Sequence, residues 1–259
     1  MSLIKSELKG NVLAVCLNRP EKFNSFNREM ALELQEVLKR GEKERGVRSI
    51  YLSAEGKAFC AGQDLAEAVD PAGVGIARIV DEHYNPIIRF LRSIEKPVVC
   101  AVNGVAAGAG ANLALACDIV LAGSSASFIQ AFIKIGLIPD SGGTFILPRL
   151  IGFQRAAALM MTGDKVGSAE ALQMGMVYKV IADDQLQAEG MKMAMALAEM
   201  PTRGIGLTKR LLNASLSGGT LDSQLKAEMQ LQEEAFHTFD CKEGVMAFLE
   251  KRKPSFKGE

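Results

Sequence analysis

Apolar positions along the first fifty residues read as a hairpin followed by a helix. Ile4–Leu8 and Val12–Leu17 have strand character, and Lys9-Gly10-Asn11 supplies turn residues between them. A polar loop, 18–26, leads to Asn27, a good cap for a helix in which Met30, Leu34, Val37 and Leu38 recur at helical spacing. Ser49–Ala54 reads as a strand, and Ala58–Leu65 as a glycine-containing loop entering a helix. Beyond a loop around Asp70–Gly75, a helix is expected from about Ile76 to Ile94, kinked or split at Pro86. Val98–Val102 and Ile119–Ala122 read as strands flanking a small-residue helix over Gly108–Cys117. Strand–helix–strand alternation of this kind predicts an α/β core with at least partly parallel strands. From about Gln185 the pattern is helical only, over Met191–Met200, Gly204–Ala214, Leu221–Phe236 and Lys242–Arg252. The expected organisation is an α/β body, 1–200, with a helical tail, 201–259.

Charge changes this picture little. The 259 residues carry formal net charge zero, with no basic run, which argues against a nucleic acid or an anionic membrane as partner. The most apolar stretch, Pro97–Gly123, is interrupted by Asn103, Asn112 and Asp118 and is rich in glycine. It reads as buried strands and a buried helix rather than a membrane span, which needs about 20 mostly apolar residues. Five scattered cysteines without a C-x-x-C pair fit a reducing compartment. The start lacks an apolar signal core, so a cytoplasmic location is expected. His83 and His237 stand in no metal-spaced cluster and read as surface or partner-satisfied side chains.

Chemistry is concentrated in three glycine-containing loops, Ala58–Leu65, Asn103–Asn112 and Gly136–Thr144. Small residues let a ligand approach the backbone, and a helix start points free N–H groups outward. Two such groups converging on one oxygen would form an oxyanion hole, but each loop alone is equally a tight turn. No phosphate-binding glycine fingerprint and no nucleophile elbow is present. Asp140, after Pro139 and before Ser141-Gly142-Gly143, is the carboxylate of interest; it reads equally as a catalytic group or as a helix cap. Asp118, between two apolar runs, reads as a structural carboxylate bonding backbone groups.

Ala58–Leu65, Ala101–Ile119 and Gly136–Gly143, in that order, together with Asn18-Arg19-Pro20 and Glu243–Arg252, resemble the enoyl-CoA hydratase/isomerase, or crotonase, family. The resemblance covers nearly the whole chain. It implies a ClpP-like spiral of ββα units with a C-terminal helical trimerisation region, assembling as a homotrimer or a dimer of trimers, and a possible related crotonase subunit as partner. It implies an acyl-coenzyme A thioester as substrate, with no cofactor and no metal. The thioester carbonyl would lie between two backbone N–H groups, one from Gln63 or Ala61 with Gln63 favoured, the other from Ala109 in Gly108-Ala109-Gly110. Coenzyme A would run past Lys22 and Phe23, near Ala61, Asp64 and Leu65, with Phe248 and Lys251 reaching it from a neighbouring subunit. Asn112, Phe132 and Ile138 would line the acyl pocket.

The sequence departs from the hydratase pattern. The two glutamates that hydratases use fall at Asn112 and Phe132, and water addition needs groups to activate water and supply a proton. Isomerases of the family place an aspartate where Asp140 stands, and Tyr84-Asn85-Pro86 with Gly136–Asp140 resembles the 1,2-epoxyphenylacetyl-CoA isomerase subgroup. The expected activity is therefore isomerisation through a thioester enolate, with Asp140 as acid and base, shifting a double bond or opening a ring epoxide toward an oxepin. Walls of Phe128, Phe132, Ile138 and Phe145 would desolvate that carboxylate and raise its pKa. The alternatives are a hydratase, thioesterase or dehalogenase-like reaction, or a non-catalytic acyl-CoA-binding subunit.

Overall fold

The computed structural model describes residues 2–259. The chain opens with β1 (Ile4–Lys9) and β2 (Val12–Leu17), an antiparallel hairpin turning at Gly10. Asn27 caps α1 (Arg28–Lys43), its side chain accepting from the Met30 amide at 3.0 Å. After β3 (Ser49–Ala54) come β4 (Ala58–Cys60), α2 (Leu65–Ala68) and α3 (Ile76–Arg78). A π-helical turn over Ile79–Tyr84 leads into α4 (Asn85–Ser93). The middle of the chain runs β5 (Val98–Val102), β6 (Val105–Ala107), α5 (Ala109–Leu115), β7 (Ile119–Gly123) and β8 (Ser127–Ile129). It continues through α6 (Gly143–Ile151), α7 (Phe153–Thr162), β9 (Lys165–Gly167), α8 (Ser168–Met174) and β10 (Lys179–Ile181). Four helices close it: α9 (Leu186–Ala198), α10 (Thr202–Leu216), α11 (Leu221–Phe236) and α12 (Phe239–Leu249).

Two sheets result. The larger has the order β1-β2-β3-β5-β7-β10 and is parallel from β2 onward; the smaller has the order β4-β6-β8-β9, with only the last pair antiparallel. A parallel sheet needs both faces covered, and the strands read accordingly as continuous apolar runs. Side chains alternate between the faces. Ile50, Leu52, Val98 and Cys100 turn toward Met30, Leu34 and Leu38 of α1 and Ile87 and Leu91 of α4. Tyr51, Val99, Ala101 and Leu121 turn toward Leu186 and Ala194 of α9.

Asp118 is structural, as its setting between apolar runs suggests. Its carboxylate accepts from the Val98 amide at 2.9 Å and from Lys209 Nζ at 2.7 Å, which ties α10 to the sheet. One sequence expectation needs correction. Ala58–Leu65 begins as strand rather than loop, because β4 pairs with β6, itself absent from the pattern of the sequence. The helix expected over Ile76–Ile94 is present as a continuous helical run, and the irregularity expected at Pro86 is the π-helical turn just ahead of it. Pro86 has no N–H to return to the preceding turn, and Gln35 Nε2 donates to the carbonyls of Glu82 and His83 at 2.7 and 3.2 Å. Of the two readings of His83, surface or partner-satisfied, the second holds at one nitrogen: the residue is fully buried, Nε2 lies 3.2 Å from the Arg28 guanidinium, and Nδ1 has no partner among the described residues.

Candidate active site

The site begins with the smaller sheet, whose strands β4 and β6 run parallel and deliver two turns to the same end. Gly62 is at φ +91°, a conformation glycine reaches without steric penalty. A methyl group there would stand 2.9 Å from the Ala107 carbonyl oxygen and 3.5 Å from the Ala109 nitrogen, so the two turns touch. The loop 18–26 clamps the first turn from outside. Asn24 Nδ2 donates to the Glu55 and Ala58 carbonyls at 2.8 and 2.9 Å, and Arg19 pairs with Asp64 at 2.8 Å.

Hydrogen bonding separates the turn amides. The Ala61 N–H is donated to the Phe23 carbonyl at 3.0 Å. Phe26 bridges to Gln63 in parallel fashion, its N–H donating to Gly62 O and its carbonyl accepting from Asp64 N. In that pairing the Gln63 N–H faces away from Phe26, and no acceptor meets it among the described residues. Ala109 is the first residue of α5, where an amide has no partner within the helix. Gln63 and Ala109 therefore present free N–H groups from adjoining turns, whereas Ala61 does not.

Asn112, Phe132 and Asp140 gather behind these turns. The Phe132 ring covers Gly108, whose added methyl would lie 3.7 Å from it. Asn112 is buried on α5 and donates through Nδ2 to the Asp140 carbonyl at 2.8 Å, while its Oδ1 accepts from Gln130 Nε2 at 2.9 Å. Gly143 leaves room for this amide, since a methyl there would sit 2.3 Å from Asn112 Nδ2. Asn112 thus braces the turn that carries Asp140. The bracing by Gln130 escaped the sequence; the one signal was a polar residue inside the apolar stretch 128–150.

The Asp140 carboxylate does not cap α6: Gly142 is the cap residue, and no side-chain cap bond is made. Its partner is Ser141 Oγ at 2.8 Å, from a serine held at φ +51°. Burial pushes the Asp140 pKa up, and the Ser141 hydroxyl offsets this only in part. The wall around it differs from expectation. Phe128 and Phe132 are buried, but Ile138 is 81% exposed and Phe145 carries the Arg149 guanidinium 3.7 Å from its ring. In the single chain Ile138 and Phe145 are too exposed to enclose the carboxylate.

The residues expected along coenzyme A are divided. Lys22, Phe23, Ala61 and Leu65 form an exposed margin beside the first turn. Asp64 caps α2, accepting from the Ala66 amide; burial raises its pKa, but Arg19 and that amide outweigh burial and hold it below its ordinary value. Phe248 and Lys251 stand on the tail, Phe248 being 82% exposed. A cleft of about 770 Å³ lined by Ile88, Leu115, Ile146, Leu150 and several arginines meets the Asp140 turn only at Gly142.

Comparison with known proteins agrees with this architecture. The family model described as enoyl-CoA hydratase/isomerase matches residues 7–259. The chain is 46% identical over 262 residues to the 1,2-epoxyphenylacetyl-CoA isomerase of Escherichia coli (strain K12), covering 100% of both. It is 41% identical to a protein of Rhodobacter capsulatus named "Probable enoyl-CoA hydratase", covering 98% of each. A solved enoyl-CoA hydratase from Bacillus anthracis superimposes with a TM-score of 0.92 at 34% identity, over 99% of this chain and 100% of that one.

Proposed function

The chain belongs to the enoyl-CoA hydratase/isomerase family and has the crotonase fold, and within that family we propose that it is an isomerase of an acyl-CoA thioester. The observation that carries this is the acid inventory of the site. Asp140 is a desolvated carboxylate that caps no helix, while the positions of the two hydratase glutamates hold an amide committed to bracing, Asn112, and a hydrocarbon ring, Phe132. One carboxylate suffices to take a proton from the carbon next to the thioester carbonyl and return it further along the dienolate that results. Hydration needs groups at two positions that here can neither activate water nor donate a proton.

The thioester oxygen is held by the N–H groups of Gln63 and Ala109, which stabilise the negative charge that develops as the proton leaves. Removal of one such donor typically costs roughly 100- to 1000-fold in rate. The raised pKa of Asp140 makes it a stronger base than an exposed aspartate. Its carboxyl then gives the proton back, so the reaction shifts a double bond, or assists ring-epoxide opening, with no net change in atoms. The relative named 1,2-epoxyphenylacetyl-CoA isomerase supports the second form of substrate.

Body and tail divide at about residue 200 in this proposal, with coenzyme A lying along Lys22, Phe23 and Leu65. Exposed Leu225, Met229, Phe236, Val245, Phe248 and Leu249 on α11 and α12 support burial of the tail against neighbouring subunits in a trimer or a pair of trimers. No helix among the described residues is long and apolar enough to cross a membrane, and we place the enzyme in the cytoplasm. The test is incubation with a 3-enoyl-CoA, following the absorbance of the conjugated thioester. Wild type should form the conjugated product, and Asp140→Asn should bind the thioester without converting it. Full turnover by Asp140→Asn would reject the assignment.

A further inference from the structure

We infer that Tyr84 is a positioning residue for the first oxyanion donor: its hydroxyl, bonded to Gln63 Oε1 at 2.9 Å, anchors Gln63 on the side opposite the Phe26 pairing and so holds its N–H in the direction that pairing gives it. The inference rests on the proposed role of the Gln63 and Ala109 amides.

The need for such a residue comes from Gly62. The peptide joining Gly62 to Gln63 carries the donor N–H, and a glycine at its head imposes little preference on its rotation. On one side the Phe26 amide holds the Gly62 carbonyl at 2.7 Å. On the other, the Gln63 side chain is gripped at both ends. Oε1 accepts from Tyr84, and Nε2 donates to Glu67 Oε2 at 2.8 Å and to the Asp64 carbonyl at 3.2 Å. With its amide committed, Gln63 cannot rotate without breaking these bonds inside the protein.

Tyr84 is suited to the task. It is 2% exposed, and its ring packs against Phe26 with centroids 5.8 Å apart. A buried tyrosine hydroxyl ordinarily finds a partner, and Gln63 is the one it has among the described residues. The ring stands at the end of the π-helical turn Ile79–Tyr84, a rare element found frequently at functional positions. The network continues outward: Glu67 Oε1 accepts from the Arg28 amide at 2.9 Å, and the Arg28 guanidinium reaches Glu82 at 2.7 Å and His83 at 3.2 Å. The Gln63 turn is thereby tied to the start of α1 and to the π-helical turn together. Burial, with the nearby Cys60, Asp140, Glu67 and Asp64 adding to it, keeps the phenol protonated, so Tyr84 remains a donor and takes no proton from substrate.

The experiment compares Tyr84→Phe, Gln63→Leu, the double variant and Asp140→Asn. Two readouts are used: the red shift of a bound dimethylaminocinnamoyl-CoA, which reports polarisation of the thioester carbonyl, and the rate of substrate α-proton exchange with D₂O. Tyr84→Phe is expected to lose a large part of the red shift and to slow exchange about 10- to 100-fold, since a misdirected donor is a partial loss of the hole. Substrate KM should stay within about twofold, the signature of an interaction made in the transition state. Gln63→Leu should match it, and the double variant should be no worse than either alone, because both substitutions break one linkage. Asp140→Asn should keep the red shift and lose exchange. Tyr84→Phe with full red shift and full exchange overturns the inference and leaves the oxyanion assignment standing. If Tyr84→Phe does not fold, Gln63→Leu with an unchanged red shift overturns it equally. A wild-type protein showing neither red shift nor exchange removes the oxyanion assignment itself, and this inference with it.

Discussion

Substituting Gly62 by alanine should damage catalysis as well as stability. The residue lies at φ +91°, where a side chain costs about 1–2 kcal/mol. The new methyl would stand 2.9 Å from the Ala107 carbonyl oxygen, whereas ordinary contact begins at 3.4 Å. The methyl is fixed to the backbone of the turn after β4 and the oxygen is main chain at the end of β6, so the turns must part by about half an ångström, and no side chain can rotate out of the way. The stability loss corresponds to a melting temperature lower by roughly 2–8 °C. Parting the turns also separates the Gln63 and Ala109 amides. A displacement of 1 Å can cost about 100-fold in rate, so half of that predicts a loss of about tenfold in kcat. The assay is turnover of a 3-enoyl-CoA alongside thermal unfolding on the same preparation. A Gly62→Ala protein that retains kcat within about twofold of wild type would show that the junction of the two turns is not where the thioester oxygen binds.

Asp140 has a folded pKa raised by burial above its unfolded value, so ionising it disfavours the fold. That contribution is absent in acid and grows as pH rises from the ordinary aspartate range through the folded pKa. Asp140→Asn should therefore melt higher than wild type at neutral pH, with the gain vanishing below about pH 4; an unchanged difference across that range would contradict it. The acid limb of kcat in wild type should likewise fall at a pH above that of an exposed aspartate. Crotonyl-CoA should bind but hydrate far more slowly than a 3-enoyl-CoA isomerises, and rapid hydration by protein free of contaminating hydratase would refute the acid inventory. Truncation before Leu221 should abolish oligomers seen by light scattering and weaken coenzyme A binding. Each large apolar side chain buried between subunits contributes roughly 1.5–3 kcal/mol, and a truncated chain that still assembles with unchanged affinity would exclude the tail from the interface.

The hairpin, the Asn27 cap, the long strands and the tail helices were legible because each is set by its own residues. Strands of three residues were not: Ala58–Cys60, Val105–Ala107 and Ser127–Ile129 are too short for a period and exist because they pair with one another across the chain. The π-helical turn was invisible because its stabilising partner, Gln35, lies on another helix. At the site, the glycine turns and Asp140 stood out as residue types. What escaped was commitment: Asn112 looked like a pocket residue, yet its amide is spent on the Asp140 carbonyl and Gln130. Side-chain direction also escaped, as Ile138 shows, because apolar character does not decide which way a loop residue points.

The two amides that meet at the junction of β4 and β6 belong to the main chain, and this bears on how such a protein changes over generations. A codon change can replace every side chain around the thioester, but it cannot delete an N–H unless it introduces proline. In the proposed mechanism the charge-stabilising half of the site is thus shielded from most mutation, while Asn112, Phe132 and Asp140, to which the proposal assigns the fate of the proton, are each open to single-nucleotide drift. A lineage built this way can exchange one reaction for another without first losing the ability to hold an enolate. Laboratory evolution aimed at a new activity should begin with libraries at those three positions and leave the turns alone.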